Sequence, residues 1–219
     1  QFSSCLPALF VQMDVRGAGL IGLATVQFCS FSCALYVLVH CLKSKVIYQN
    51  ISNHMIICLL AVATWAVSFD LFNMEYFYWT GYVPFQTEHA CRFYNLSYFS
   101  GAALNRLFMA LMSVERHLLV FHHQLYRTRR LRQLCHYFPI LLLFVYVMTC
   151  SLVGDVFLTC PALRFRYNRL LCGYTCTILS RNLSLFYICA QIFAPVLITT
   201  VACVLLPIRF FFQKHTLPR

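Results

Sequence analysis

The chain has 219 residues, of which 61% are hydrophobic and 11% charged, and its mean hydropathy is +0.71. A water-soluble fold of this composition would need almost every residue in its core, so the composition indicates a membrane protein. In a globular protein, the formal net charge of +11 would suggest nucleic acid as a binding partner, but most of this charge lies between apolar runs. We therefore expect membrane lipid as a partner, and no nucleic acid.

Five apolar stretches are long enough to cross a membrane, because about 20 residues at 1.5 Å per residue span about 30 Å of hydrocarbon. Lipid cannot hydrogen-bond the backbone, and the sequence lacks the alternating polarity of a barrel, so each stretch should be a helix. The prediction is an all-α polytopic bundle that forms one domain over residues 1–219. The predicted helices cover Ala18 to Leu42, His54 to Phe77, Cys91 to Leu119, Tyr137 to Leu158 and Leu183 to Phe212.

The distribution of Lys and Arg between these stretches predicts an extracellular N-terminus. In that orientation ten of them fall on the cytoplasmic side and six outside, and cytoplasmic loops favour positive residues. The cytoplasmic set is Lys43, Lys45, Arg116, Arg127, Arg129, Arg130, Arg132, Arg209, Lys214 and Arg219, and the exterior set is Arg16, Arg92, Arg164, Arg166, Arg169 and Arg181.

The third apolar stretch has a Cys at its start and the triplet Glu115-Arg116-His117 at its end. Cys91 and Glu115 lie 24 residues apart, or about 36 Å along a helix, which slightly exceeds the thickness of the hydrocarbon. The Cys must therefore lie at one membrane face, where it can be oxidised, and the Glu-Arg pair must lie at the other.

This arrangement resembles the rhodopsin-like (class A) G protein-coupled receptors, whose third helix begins with a disulfide Cys and ends in an Asp/Glu-Arg-Tyr triplet at this separation. Glu115-Arg116-His117 matches that triplet with His in place of Tyr. In the family, the neighbouring acid holds the Arg at rest, and the Arg turns toward the G protein on activation. The resemblance implies a plasma-membrane receptor that senses an extracellular ligand and activates a heterotrimeric G protein. Arg116 would be its activation residue and Glu115 the restraint.

The resemblance also implies a disulfide bond and a distorted fifth helix. In the family the third-helix Cys pairs with a Cys of the second extracellular loop, and Cys172 and Cys176 could both take that role here. Cys172 is narrowly favoured, with Cys160 or a free thiol as the alternative. Pro195 resembles the family's fifth-helix proline, which removes a backbone hydrogen bond and bulges the helix.

Several positions depart from the family and indicate a divergent, orphan type. Thr64 stands where the family usually places a sodium-binding Asp in the second helix, so sodium binding is not expected. The family has seven helices, whereas the stretches present here match helices one to five. We therefore expect a fragment that does not signal as it stands.

Arg106 and Asn105 lie midway along the third stretch, where a charge costs about 2.5–3.5 kcal/mol unless it is paired or hydrated. Asp70 in the second stretch is the plausible intramembrane acid, so we expect an Asp70–Arg106 ion pair. Backbone carbonyls and water are the alternative partners of this guanidinium.

The family's geometry makes Tyr98, Ala102, Asn105 and Arg106 candidates for the lining of a ligand cavity. Amine receptors of the family carry an Asp two turns inside the third-helix Cys, and this chain has no acid there. The resemblance therefore implies a peptide or another small molecule, and not an amine. The same aromatic side chains could instead serve in packing.

No motif in the sequence points to catalysis, to a cofactor or to a metal. His117, His122 and His123 are not spaced with carboxylates as metal ligands are, and seven Gly are few for a phosphate-binding loop. The alternative to a receptor is a small membrane transporter or a five-helix scaffold. Transporters typically show paired broken helices or internal symmetry, and neither is visible.

Overall fold

A computed structural model describes residues 5–45, 51–121, 128–157, 165–173 and 180–216. These residues form five long helices and no strand, which confirms the predicted all-α class. The helices are α1 (Cys5–Lys43), α2 (Ile51–Thr80), α3 (Glu88–Phe121), α4 (129–157) and α5 (181–216), with a short 3-10 turn at Leu170–Cys172 between the last two.

Two of these helices contain wider turns. In α4, π-helical segments at Gln133–Tyr137 and Val153–Phe157 flank the regular part Phe138–Leu152. In α5, a π-helical segment at Ile188–Phe193 separates Arg181–Tyr187 from Ala194–Thr216. A π-helical turn inserts an extra residue, so it changes which side chains face the rest of the bundle.

Four of the helices are long and apolar enough to cross a membrane, within the part of the chain that the structure describes. These segments are Ile21–Lys43, Asn53–Thr80, Arg130–Leu152 and Arg181–Phe212. Their outer surfaces carry large apolar side chains, such as Phe28 and Trp79, which are 72% and 80% exposed. Such a surface is stable against hydrocarbon and unstable in water, so the chain is a membrane protein.

The remaining helix, α3, is more polar because it contains Glu88, Arg92, Arg106, Glu115 and Arg116. It lies at the centre of the bundle, where it packs against α2, α4, α5 and the 3-10 turn. Of its charged residues, Glu115 is buried and Arg106 is partly buried. This central position makes α3 the helix through which α2, α4 and α5 are connected.

The helices extend beyond the apolar stretches that the sequence delimits. Helix α1 begins at Cys5, well before Ala18, and α4 begins at residue 129, before Tyr137. Hydropathy marks only the part of a helix that needs hydrocarbon around it. The hydrogen-bonded backbone can continue through more polar residues at the membrane surface.

Two buried clusters hold α3, one at the middle of the helix and one near its N-terminal end. One consists of Met55 from α2, Ala103, Leu104 and Phe108 from α3, and Val147 from α4. The other consists of Val83, Cys91, Tyr94 and Cys172, with Phe165 and Tyr167 packed against it. In addition, the small residues Ser97, Ser100, Gly101 and Ala103 are buried on α3, and residues of this size let membrane helices approach closely.

Candidate functional site

The N-terminal end of α3 is fastened to the loop that precedes α5. Cys91 is bonded to Cys172, with their Cα atoms 5.9 Å apart, and both residues are almost completely buried. The same loop is held by a backbone hydrogen bond from Val83 N–H to the Tyr167 carbonyl, at 3.0 Å. This is the pairing that the sequence narrowly favoured, and the alternative Cys176 lies outside the described residues, as does Cys160.

The C-terminal end of α3 is joined to α4 through a buried carboxyl–imidazole contact. Glu115 Oε1 is hydrogen-bonded to His136 Nδ1, and the two side chains are 6% and 1% exposed. The other nitrogen of that ring, His136 Nε2, lies 3.3 Å from His54 Nδ1 on α2, and the Tyr137 hydroxyl is 3.3 Å from the same atom. The contact therefore links α3, α4 and α2 at this end of the bundle.

The expected restraint of Arg116 by Glu115 is not present in the structure. The Glu115 carboxyl faces His136, whereas Arg116 is exposed and forms no ion pair within the described part of the chain. Adjacent residues of a helix point about 100° apart, so Glu115 can face α4 while Arg116 faces away from it. His117, the third residue of the triplet, packs its ring against Phe121 at 4.9 Å between centroids.

The predicted Asp70–Arg106 ion pair is also wrong. Arg106 Nε donates to the Gln191 backbone carbonyl at 2.8 Å, and Arg106 Nη2 donates to the Tyr187 hydroxyl at 3.2 Å. Both partners are on α5, so this guanidinium joins α3 to α5. The alternative of a backbone carbonyl as partner is the one that the structure bears out.

The chemistry of proline explains why the Gln191 carbonyl can accept this hydrogen bond. In a regular α-helix that carbonyl would accept from the N–H four residues later, and the residue there is Pro195, which has none. The π-helical segment Ile188–Phe193 ends two residues before this proline and is a bulge of the kind that the family resemblance implies. Arg106 supplies the donor that the proline removes.

Asp70 instead lies between α2 and α3, on the other side of α3 from α5. Its side chain is buried next to Gly101, whose missing Cβ would lie 4.0 Å from Asp70 Oδ2. No hydrogen-bond partner is present for Asp70 Oδ1 among the described residues. The hydroxyl of Thr64, at the position where the family has its acid, donates to the Leu60 carbonyl of its own helix.

Replacing Arg106 with leucine is expected to lower the free energy of unfolding by about 2–3 kcal/mol, because two hydrogen bonds from a charged donor are lost. Arg106→Lys keeps the charge but cannot reach both acceptors in the same geometry, so its loss should be intermediate. The measurement is unfolding of the purified chain in mixed micelles by increasing fractions of SDS. In the double variant Asp70→Asn, Arg106→Leu, the losses in free energy of unfolding should be additive, since these residues are not paired. Losses that are strongly non-additive would instead support the Asp70–Arg106 ion pair.

Two cavities in the described part of the chain lie beside α3, the helix that carries the four candidates for the ligand cavity. A cavity of about 230 Å³ is present between α3, α4 and α5, but its lining includes Phe99 and not Tyr98, Ala102 or Asn105. Arg106 lines a smaller groove of about 160 Å³ together with Pro195 and Thr199. Tyr98 stacks edge to face on Phe99, so part of this aromatic set serves in packing.

Three partners in these contacts were missed by reasoning from the sequence: His136, Tyr187 and Gln191. A signal existed for Gln191, because it stands four residues before Pro195 and therefore has a carbonyl without a helical donor. A weaker signal existed for His136, which adjoins the apolar part of α4 close to its basic end. No signal in the sequence points to Tyr187.

Comparison of the sequence with protein-family models and with curated proteins finds no match.

Proposed function

We propose that the chain forms helices one to five of a divergent rhodopsin-like G protein-coupled receptor in the plasma membrane. The observation that carries this proposal is the construction of α3. One helix at the centre of the bundle has a disulfide to the loop before α5 at one end and a Glu-Arg pair at the other. The proposal assigns the sensing of an extracellular ligand to the first end and the activation of a heterotrimeric G protein to the second.

The chemistry of the two ends supports an orientation with the N-terminus outside the cell. Disulfides persist in oxidising compartments, so the end with Cys91 and Cys172 belongs on the exterior. The opposite end of α3 lies beside the start of α4, where Arg130 and Arg132 are exposed. Positive residues favour the cytoplasmic side, so the two criteria agree.

In this proposal, Arg116 is the residue that contacts the G protein. It is exposed at the cytoplasmic end of α3 and forms no ion pair with Glu115, which is paired with His136. A ligand that binds one arrangement of the helices more tightly than another shifts the population toward it. Because α3 packs against α2, α4 and α5, and Arg106 ties it to the bulge in α5, such a shift changes the position of Arg116.

The ligand that fits best is a peptide or another small molecule without an amine. The outer part of α3 presents Tyr94, Tyr98 and Phe99, and the carboxylate that would hold an ammonium group is absent from that stretch of the helix. Aromatic side chains provide large apolar contact areas and hydroxyl groups for hydrogen bonds.

The test is the binding of nucleotide-free G protein to vesicles that contain the protein in the full form in which cells make it. One heterotrimer of each coupling class is titrated without added ligand, because the ligand is unknown. We expect one class to bind, and Arg116→Ala to weaken this binding by about tenfold, which corresponds to about 1.4 kcal/mol.

Arg130→Ala is the matched control, since it removes an exposed arginine from the same end of the bundle without touching the triplet. It should bind the G protein as the unchanged protein does, apart from a small loss at low salt. Failure of every heterotrimer to bind, or equal losses for Arg116→Ala and Arg130→Ala, would contradict the proposed function.

A further inference from the structure

The cavity between α3, α4 and α5 has a mostly apolar lining, to which a few polar side chains are added. Its volume is about 230 Å³, and its lining includes Phe99, Ser151, Gly154, Leu183, Tyr187 and Gln191. Specific ligand sites in proteins are typically about 300–1,000 Å³ and combine an apolar lining with a few polar groups. This cavity is slightly smaller, so it fits a segment of a larger molecule.

Gln191 supplies one of the polar groups beside this cavity. Its side chain is 2% exposed, and its Oε1 atom has no hydrogen-bond partner in the described structure. A buried acceptor without a donor destabilises the fold, so a donor supplied by a ligand would bind here with a gain in affinity.

The cavity opens toward the hydrocarbon of the membrane. Val153 and Phe186 both line it, and they are 46% and 50% exposed on the outer surfaces of α4 and α5. Gln191 lies ten residues after Arg181, which is about 15 Å along the helix and so about half of the hydrocarbon thickness. A ligand that enters by this route is lipid-soluble and carries its donor at mid-membrane depth.

We infer that this cavity binds the chain of a lipid that carries a hydroxyl group in its middle, with the hydroxyl donating to Gln191 Oε1. Lipid hydroxyls in head groups lie at the membrane surface and do not reach this depth, whereas a mid-chain hydroxyl does. The backbone carbonyl of the same residue accepts from Arg106, so the occupant sits next to the contact that joins α3 to α5.

The experiment compares two probes that differ in one group, the methyl ester of a mid-chain hydroxystearic acid and methyl stearate. Binding of each to the intact protein in micelles is measured by native mass spectrometry over a range of probe concentrations. The hydroxy ester should bind about fivefold to tenfold more tightly, since one additional hydrogen bond to a buried acceptor is formed.

Variants assign this difference to the cavity. Gln191→Leu should bind both esters equally, and Gln191→Met provides the same test if the leucine variant does not fold. Ser151→Leu fills the cavity and should weaken both esters. Gln133→Leu, which removes an exposed amide at the far end of α4, should keep the full preference for the hydroxyl.

Equal binding of the two esters to the unchanged protein would overturn the inference, and would leave a water molecule as the donor to Gln191. Persistence of the hydroxyl preference in both Gln191 variants would overturn it as well. Neither result bears on G protein binding, so the failure of this inference is distinguishable from the failure of the proposed function.

Discussion

Replacing Cys91 with serine is expected to lower the free energy of unfolding by about 4–5 kcal/mol, because the bond to Cys172 closes a loop with a sequence separation of 81 residues. In the unfolded chain this cross-link restricts the conformations of the segment between Cys91 and Cys172. The loss should appear as unfolding at a lower fraction of SDS in mixed micelles, and as a smaller amount of folded protein in the membrane.

Three comparisons separate the disulfide from the thiols themselves. Cys172→Ser should match Cys91→Ser, and the double variant should lose no more than either, because each single change already breaks the bond. Cys33→Ser, at a free and exposed cysteine of α1, should unfold as the unchanged protein does. A reducing agent should weaken the unchanged protein and not Cys91→Ser. A Cys91→Ser variant as stable as the unchanged protein would contradict this role of the bond.

The features that the sequence predicts well are those that depend on position along a helix. Each residue adds about 1.5 Å, so 24 residues between Cys91 and Glu115 set these residues at opposite ends of α3 whatever surrounds the helix. The same reasoning applies to Pro195, whose effect is local to its own helix and appears as the π-helical segment before it. The helix class and the positions of Cys91 and Glu115 at opposite ends of α3 could therefore be anticipated, whereas the partner of Cys91 was suggested by the resemblance to a family.

The features that the sequence predicts poorly are those that depend on the rotation of a helix about its axis. The helices are apolar on most sides, so periodicity gives little indication of the direction in which one side chain points. Asp70 and Arg106 have suitable charges and neighbouring helices, yet Asp70 faces Gly101 while Arg106 faces α5. Glu115 and Arg116 are adjacent in sequence, but only the first points at α4.

The position of Pro195 along α5 indicates which backbone carbonyl is the alternative partner of Arg106. A guanidinium in hydrocarbon needs an acceptor, and a proline in a membrane helix leaves one carbonyl without its helical donor. The Gln191 carbonyl was the better partner for Arg106, since its hydrogen-bonding capacity was already unsatisfied.

Replacing Glu115 with leucine is expected to lower the free energy of unfolding by about 3 kcal/mol, because it leaves His136 Nδ1 buried without a partner. Glu115→Gln keeps an oxygen that can accept from the imidazole, so it should lose about 1 kcal/mol. Glu115→Leu with His136→Leu should be less destabilised than the sum of the single changes, by about 1–3 kcal/mol. The measurement is again unfolding by SDS in mixed micelles.

The Glu88–Arg92 pair on the same helix is the control for this buried contact. Its Oε1 and Nη2 atoms are 2.6 Å apart, but the Glu88 side chain is 53% exposed, so Glu88→Leu should cost less than about 0.5 kcal/mol. Similar losses for Glu115→Leu and Glu88→Leu would show that burial does not strengthen the contact with His136. Since Glu115 pairs with His136 and not with Arg116, the proposed function predicts that Glu115→Gln binds the G protein as strongly as the unchanged protein. Stronger binding of the G protein by Glu115→Gln would instead support the role of Glu115 as the restraint of Arg116.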